Sequence, residues 1–410
     1  MKNILILLDY YLPNASPNGI CCANVARELI HQGYSVSIVA LSGSELDRAQ
    51  TINDIPVYYC GNRSDRKKRS FDGVLYYAKW LSPYYKFPVT EDKMITAAYV
   101  QKCEELIERD QIDTLICVHL PVETLVAGTI FKARHPELTC IAYMLDSLSG
   151  GFLPRLLPQQ YCRNRKIKWE NALFTYFDRV ILMESSRAHH ERISKPFSWY
   201  AKSLYCDIPA LVNRHITFER TQPKLNEFQI CFVGTIADGI RDPYFFLRLL
   251  KYINTVRICL IFVGNNSCNP KHFNMYVDNL SFKTNLQIKC LGVLSHKEAL
   301  KIISESSVML NIGNTTNSMV PSKIFEYMSY GKPIISTYSI DNEACIPYLT
   351  KYPCALLLDE RDPDLVRQAK ALEAFILKTS DINMNFSDIK QLFYQNTPAA
   401  FVEALENAEK

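Results

Sequence analysis

Much that would assign a function outright is missing from these 410 residues. No window holds the roughly 18–20 uncharged apolar residues of a membrane span. The opening run Lys2–Leu8 is stopped by Asp9 and has neither the length nor the cleavage site of a signal peptide, so it reads as a strand. There is no CxxC spacing, and the eight histidines show neither HxxxH nor HExxH, which argues against a metal centre. Absent too are a Walker P-loop and a GxSxG elbow. The loop holding Gly19 is not GxGxxG, which weakens a dehydrogenase reading. The formal charge of +4 is far from the basicity of a nucleic-acid binder.

What is present is a soluble, globular composition, 48% hydrophobic and 21% charged. The length exceeds one ordinary core and predicts two domains. Fourteen cysteines stand mostly singly in apolar runs and read as reduced core thiols of a cytoplasmic protein. Residues 1–220 carry 27 Lys and Arg against 23 Asp and Glu, and the remainder carries 19 against 19. The whole excess therefore lies in the first part, at Arg63–Arg69 and around Arg163–Lys168.

Short apolar runs alternate with helical stretches, as a parallel sheet with crossover helices requires. Ile4–Leu8, Ser35–Ala40, Ile55–Tyr59, Asp113–His119, Cys140–Asp146 and Arg179–Met183 are the expected strands of the first part. The pattern restarts with Phe228–Val233, Arg257–Val263, Leu286–Leu291, Ser307–Ile312, Ile334-Ile335 and Cys354–Leu358. Residues 207–226, with Pro209 and Pro223, read as a linker. The expectation is an α/β chain of two Rossmann-like, doubly wound domains, residues 1–220 and 221–385, with a cleft between them and a helical tail over 386–410.

Polar residues just past the carboxyl ends of parallel strands are where such folds place ligands. Pro17-Asn18-Gly19 precedes a helix whose first N–H groups suit an anion, or else forms a tight turn needed for packing. His119 ends a strand, and reads as a donor to phosphate, as part of the acceptor pocket, or as a satisfied half-buried side chain. The stretch Gly234 to Arg241 permits close backbone approach and offers a guanidinium to a diphosphate, with an ion pair to Asp238 or Asp242 as the alternative. A short helix after Pro321 carries Lys323, Glu326, Tyr327 and Tyr330 on one face. Lys323 and Glu326 read either as part of a site or as a surface i,i+3 pair. His189-His190 reads as a solvated helix surface.

Several segments, taken in order, resemble the GT-B glycosyltransferases, and specifically their retaining family 4 group. They are Tyr11-Leu-Pro13 with Gly19, Leu29-Ile-His-Gln-Gly-Tyr-Ser-Val36, His119-Leu-Pro121, Asp178-Arg-Val-Ile-Leu182, Phe232-Val-Gly234, Leu291-Gly292 and Pro321-Ser-Lys-Ile-Phe-Glu-Tyr-Met-Ser-Tyr-Gly-Lys-Pro333. The resemblance implies a GT-B fold and a retaining hexosyltransferase that moves a sugar from a nucleotide-diphosphate donor to a glycan or lipid-linked acceptor. It implies that Glu326 binds the ribose and that amides around Ser318, Met319, Val320, Pro321 and Ser322 hold the donor phosphates. Gly19, Gly234, Thr235 and Gly264 would line the diphosphate, His119 would lie near the transferred sugar, and Arg241 and Lys323 would carry positive charge. No cofactor and no metal are implied, because protein cations stabilise the leaving group. Ser318 departs from the pattern: the family's first glutamate stands eight residues before the one that Glu326 matches. The rival readings are a catalytically silent subunit scaffolding a partner enzyme, and a sugar-nucleotide 2-epimerase. Arg63–Arg69, followed by Tyr76, Tyr77, Trp80, Tyr84 and Tyr85, suggests peripheral contact with the inner face of a membrane, or else a solvated loop over a core helix.

Overall fold

A computed structural model describes residues 2–13, 15–42, 49–62, 72–151, 153–154, 156–214, 227–315, 320–379 and 381–407. It divides into two units, Met1–Pro209 with Pro398–Lys410, and Ala210–Thr397.

The first unit is built on β1 (Asn3–Leu7), β2 (Ser35–Leu41), β3 (Gln50–Ile52), β4 (Ile55–Cys60), β5 (Thr114–His119), β6 (Thr139–Met144), β7 (Arg179–Met183) and β8 (Ser203–Cys206). They form one sheet in the order β3-β4-β2-β1-β5-β6-β7-β8. Every pairing is parallel except β3 with β4. Helices cover both faces of such a sheet, so its central strands are apolar throughout rather than alternating. β5 is buried at all six positions. Leu5, Leu7, Leu115 and Cys117 join Phe131, Phe174 and Trp199 in the core.

The second unit repeats the scheme with β9 (Glu227–Val233), β10 (Arg257–Val263), β11 (Leu286–Cys290), β12 (Val308–Ile312), β13 (Ile334–Tyr338) and β14 (Ala355–Asp359). The order is β11-β10-β9-β12-β13-β14, all parallel. In each sheet the winding reverses once, between β1 and β5 and between β9 and β12. Those are the topological switch points, where open α/β sheets leave a crevice at the carboxyl ends of their strands.

Two expectations change. The stretch read as a linker opens with packed residues of the second unit: Ala210 and Leu211 are buried, and the boundary falls at Pro209. The final helix, Pro398–Asn407, belongs to the first unit rather than to a separate tail. It buries Phe401, Val402 and Leu405, sets the Phe401 ring 4.7 Å from that of Tyr143, and accepts the Tyr34 hydroxyl on Glu406 at 2.8 Å. All fourteen cysteines are unpaired and all but Cys290 are buried. Among the described residues no helix is long and apolar enough to cross a membrane.

Candidate functional site

At the first switch point, β1 leads into the helix Pro17–His31. Pro17, Asn18 and Gly19 form the first turn of that helix rather than a loop before it. Ser16 caps the turn, accepting from Gly19 N at 3.0 Å while donating to Asp9 Oδ1 at 2.6 Å. A side chain at Gly19 would put its Cβ 2.1 Å from the Tyr10 carbonyl oxygen, so close packing accounts for the glycine, and its N–H serves the cap. Asn18 spans the reversal, donating from Nδ2 to the His119 carbonyl at 3.3 Å.

His119 ends β5 and is 4% exposed. Its Nδ1 lies 3.0 Å from the Asp146 carbonyl. A carbonyl only accepts, so that contact puts the proton on Nδ1 and leaves Nε2 as an acceptor. Burial, reinforced by the nearby Lys166 charge, pulls the imidazole down to about 4. His119 is therefore neutral near pH 7. With Nδ1–H spent on the Asp146 carbonyl and Nε2 unprotonated, the ring has no N–H to give a phosphate, which goes against the sequence-based reading as a donor to phosphate.

Beside it lies a buried polar cluster that the sequence reading missed. His190 is fully enclosed, with Ser147 Oγ at 3.3 Å, Ser194 Oγ at 3.0 Å and Glu170 Oε2 at 4.0 Å. His189 meets Ser149 Oγ at 2.9 Å, and Ser149 N donates to Glu170 at 3.3 Å. The pair is no solvated surface. Burial pushes Glu170 up to about 7, His189 down to about 4 and His190 down to about 3, so His190 and Glu170 sit together without a formed ion pair. Among the described residues no three His, Cys, Asp or Glu side chains are grouped as metal ligands would be.

At the second switch point, β9 runs out into Gly234 and β10 into Gly264. A Cβ on Gly264 would lie 2.1 Å from the Gly234 carbonyl oxygen, at a φ of +123°, so only glycine lets the two strand ends approach. Thr235 is exposed just beyond. Arg241 forms neither expected ion pair. Asp238 instead takes the Tyr244 hydroxyl and the Asn269 N–H, and Arg241 directs Nε and Nη2 at Asn314 Oδ1, 3.1 and 2.8 Å away. Asn314 follows β12, so this contact bridges the reversal. Its Nη1 stands 3.6 Å from where a Cβ on Gly234 would be.

The helix Lys323–Ser329 is shorter than expected, begins after Ser322, and is buried from Ile324 through Ser329, so its polar face is interior as well. Tyr327 turns its hydroxyl to the end of β9, accepting from Val233 N at 3.0 Å. Glu326 is 2% exposed and pairs with Lys323 Nζ at 2.8 Å, which is no surface pair. Burial alone would raise its carboxyl, but the charges of Lys323, His296 and Arg214 outweigh it and hold the group below the usual range. Val320, Pro321 and Ser322 lead into this helix, whereas Ser318 and Met319 lie outside the described residues. The structure thus groups His119 with the turn holding Gly19 in one unit. In the other it groups Gly234, Gly264 and Arg241 at the strand ends, with Tyr327 tying the helix of Lys323 and Glu326 to β9.

No protein-family model and no curated protein matches the sequence. Solved structures do. The Anabaena protein HepE, determined with UDP and glucose, superposes over 99% of this chain and all of its own at a TM-score of 0.62 and 14% identity. Sucrose-phosphate synthase from Thermosynechococcus elongatus covers 99% of this chain and 98% of its own at a TM-score of 0.66 and 11% identity. WaaG, a glycosyltransferase involved in lipopolysaccharide biosynthesis, covers 98% and 99% at 0.58 and 12%. At these identities the likeness is one of fold. The fold of this chain is that of the GT-B glycosyltransferases.

Proposed function

We propose that the protein is a glycosyltransferase that moves a sugar, with retained anomeric configuration, from a nucleotide-diphosphate donor to a glycan or lipid-linked acceptor. The observation that carries this reading is the Arg241–Asn314 contact across the second switch point, which puts a guanidinium at the carboxyl ends of β9 and β12. HepE, of the same fold, has been crystallised with UDP-glucose.

In this reading the diphosphate lies along Gly234, Thr235 and Gly264, with amides of the Ser318–Ser322 stretch as further donors. Arg241 neutralises charge as the sugar–phosphate bond breaks, a task that needs positioned cations rather than a metal. Glu326 takes the ribose hydroxyls, which requires its enclosed carboxylate to be uncovered when the ligand arrives, and Lys323 then faces the donor. Neutral His119, proton on Nδ1, accepts a hydrogen bond from a sugar hydroxyl. Front-face attack, with a leaving phosphate oxygen taking the acceptor proton, gives retention, and the protein supplies positioning. Thermal-shift measurements against uridine, guanosine and adenosine diphosphate sugars test this. One class should raise the melting temperature, and Arg241→Ala and Glu326→Ala should each lose most of the shift. Full shifts in both variants would overturn the site assignment.

The enclosure of Glu326 favours one rival, a catalytically silent subunit that scaffolds a partner. It predicts no binding of any nucleoside diphosphate, which titration decides.

The same reading places the protein at the inner face of a membrane, where a lipid-linked acceptor resides. Arg63–Arg69 lie outside the described residues. The helix that follows, Asp72–Leu81, exposes Val74 and Leu81, and the chain beyond it leaves Tyr84 90% exposed. Lys79, Lys86 and Lys93, with Glu91 and Asp92, line a groove of about 1280 Å³ beside them. Apolar side chains among lysines suit an anionic bilayer. Sedimentation with anionic vesicles should fall when Arg66–Arg69 are neutralised, and equal binding would sink the membrane contact.

A further inference from the structure

The loop after β9 is fastened to the loop after β12 at three points. Thr315 N donates to the Ile240 carbonyl at 3.1 Å, Thr315 Oγ1 donates to the Gly239 carbonyl at 3.1 Å, and Arg241 forks onto Asn314. Asn314 is buried and is itself held from behind. Its N–H donates to Glu343 Oε1 at 3.3 Å, and Cys345 N donates to Glu343 Oε2 at 2.7 Å. Glu343, 1% exposed, follows β13, so a chain of contacts runs from β13 through β12 to β9. At its end the guanidinium spends Nε and Nη2 on one amide oxygen, which leaves Nη1 on the Gly234 side.

An unheld arginine samples many rotamers, and a guanidinium must be fixed before a ligand arrives if it is to act without reorganisation. We infer that Asn314 is a positioning residue for this site: it aims Arg241 Nη1 at the ligand's diphosphate and touches no ligand itself. Glu343 serves as its backstop. The inference rests on the diphosphate role given above to Arg241.

A double-mutant cycle tests it, with UDP, GDP and ADP titrated calorimetrically into the full-length protein and whichever binds wild type carried through. Loss of a charge-assisted contact in Arg241→Ala should weaken binding about thirtyfold, and Asn314→Ala about tenfold. Because Asn314 acts through Arg241, adding Asn314→Ala to Arg241→Ala should change affinity by no more than about twofold. Melting temperatures of all variants are read alongside, and Asn314→Ser carries the same cycle should Asn314→Ala not fold. Additive losses, or wild-type affinity in Asn314→Ala, would overturn the positioning role while leaving the site intact. Wild-type affinity in Arg241→Ala, or no binding by the wild type, would overturn the diphosphate reading and this inference with it.

Discussion

Glu326 is a carboxylate almost wholly removed from water and kept charged by its neighbours. Removing the nearest of the cations that offset it leaves a buried charge poorly compensated, so Lys323→Ala should destabilise the second unit by about 3 kcal/mol in urea titration. The first unit supplies a pH test. His119, His189 and His190 are held well below the ordinary 6.5 by burial, so the unfolded chain binds more protons than the native one across about pH 4–6.5. Their contribution is complete above 6.5 and is lost as pH falls through that window. Glu170, raised to about 7, and Asp146, also raised by burial, act in the opposite sense, but they are two groups against three. Trp80, Trp169 and Trp199 all lie in this unit, so the urea midpoint by tryptophan fluorescence should be lower at pH 5 than at pH 7.5. At this scale the sequence singled out candidate groups but not what they touch. Asn314 lies 73 residues from Arg241, and no local pattern announces that contact.

Strands were legible because both faces of a parallel sheet are covered and the runs are therefore continuous: β7 and β10 have the bounds expected of them. The helix Val122–Arg134 was passed over for a related reason. It buries nine of its thirteen residues, Glu123 and Thr124 among them, so no polar face marks its period. The helix Leu365–Thr379 was also missed, although Leu365, Ala369, Leu372 and Ile376 show helical spacing. Its signal was there to be read. β3 and β8 are short edge strands with little burial to pattern them. Docking of the helix Pro398–Asn407 depends on a partner far away in sequence. Phe401→Ala in that helix should cost the first unit about 3–5 kcal/mol, seen as an earlier tryptophan-fluorescence transition in urea.

For the molecule as a whole, the repeated strand–helix pattern and the ordered motifs were enough to read the fold, whereas the division between units was not. Ala210 and Leu211 carry no turn signal, and the return of the chain to the first unit at Pro398 reflects long-range packing. The switch points explain why the candidate residues fall where they do. His119 with the turn holding Gly19, and Gly234 with Arg241, lie where a doubly wound sheet reverses, and Asn18–His119 and Arg241–Asn314 are among the contacts that span the reversals. The second of these is where we propose that a nucleotide diphosphate binds. A crystal structure of the full chain soaked with the nucleotide sugar that most raises its melting temperature tests this most directly. The diphosphate should lie at the carboxyl ends of β9 and β12, within hydrogen-bond distance of Arg241. A diphosphate bound elsewhere, with Arg241 still joined only to Asn314, would contradict it.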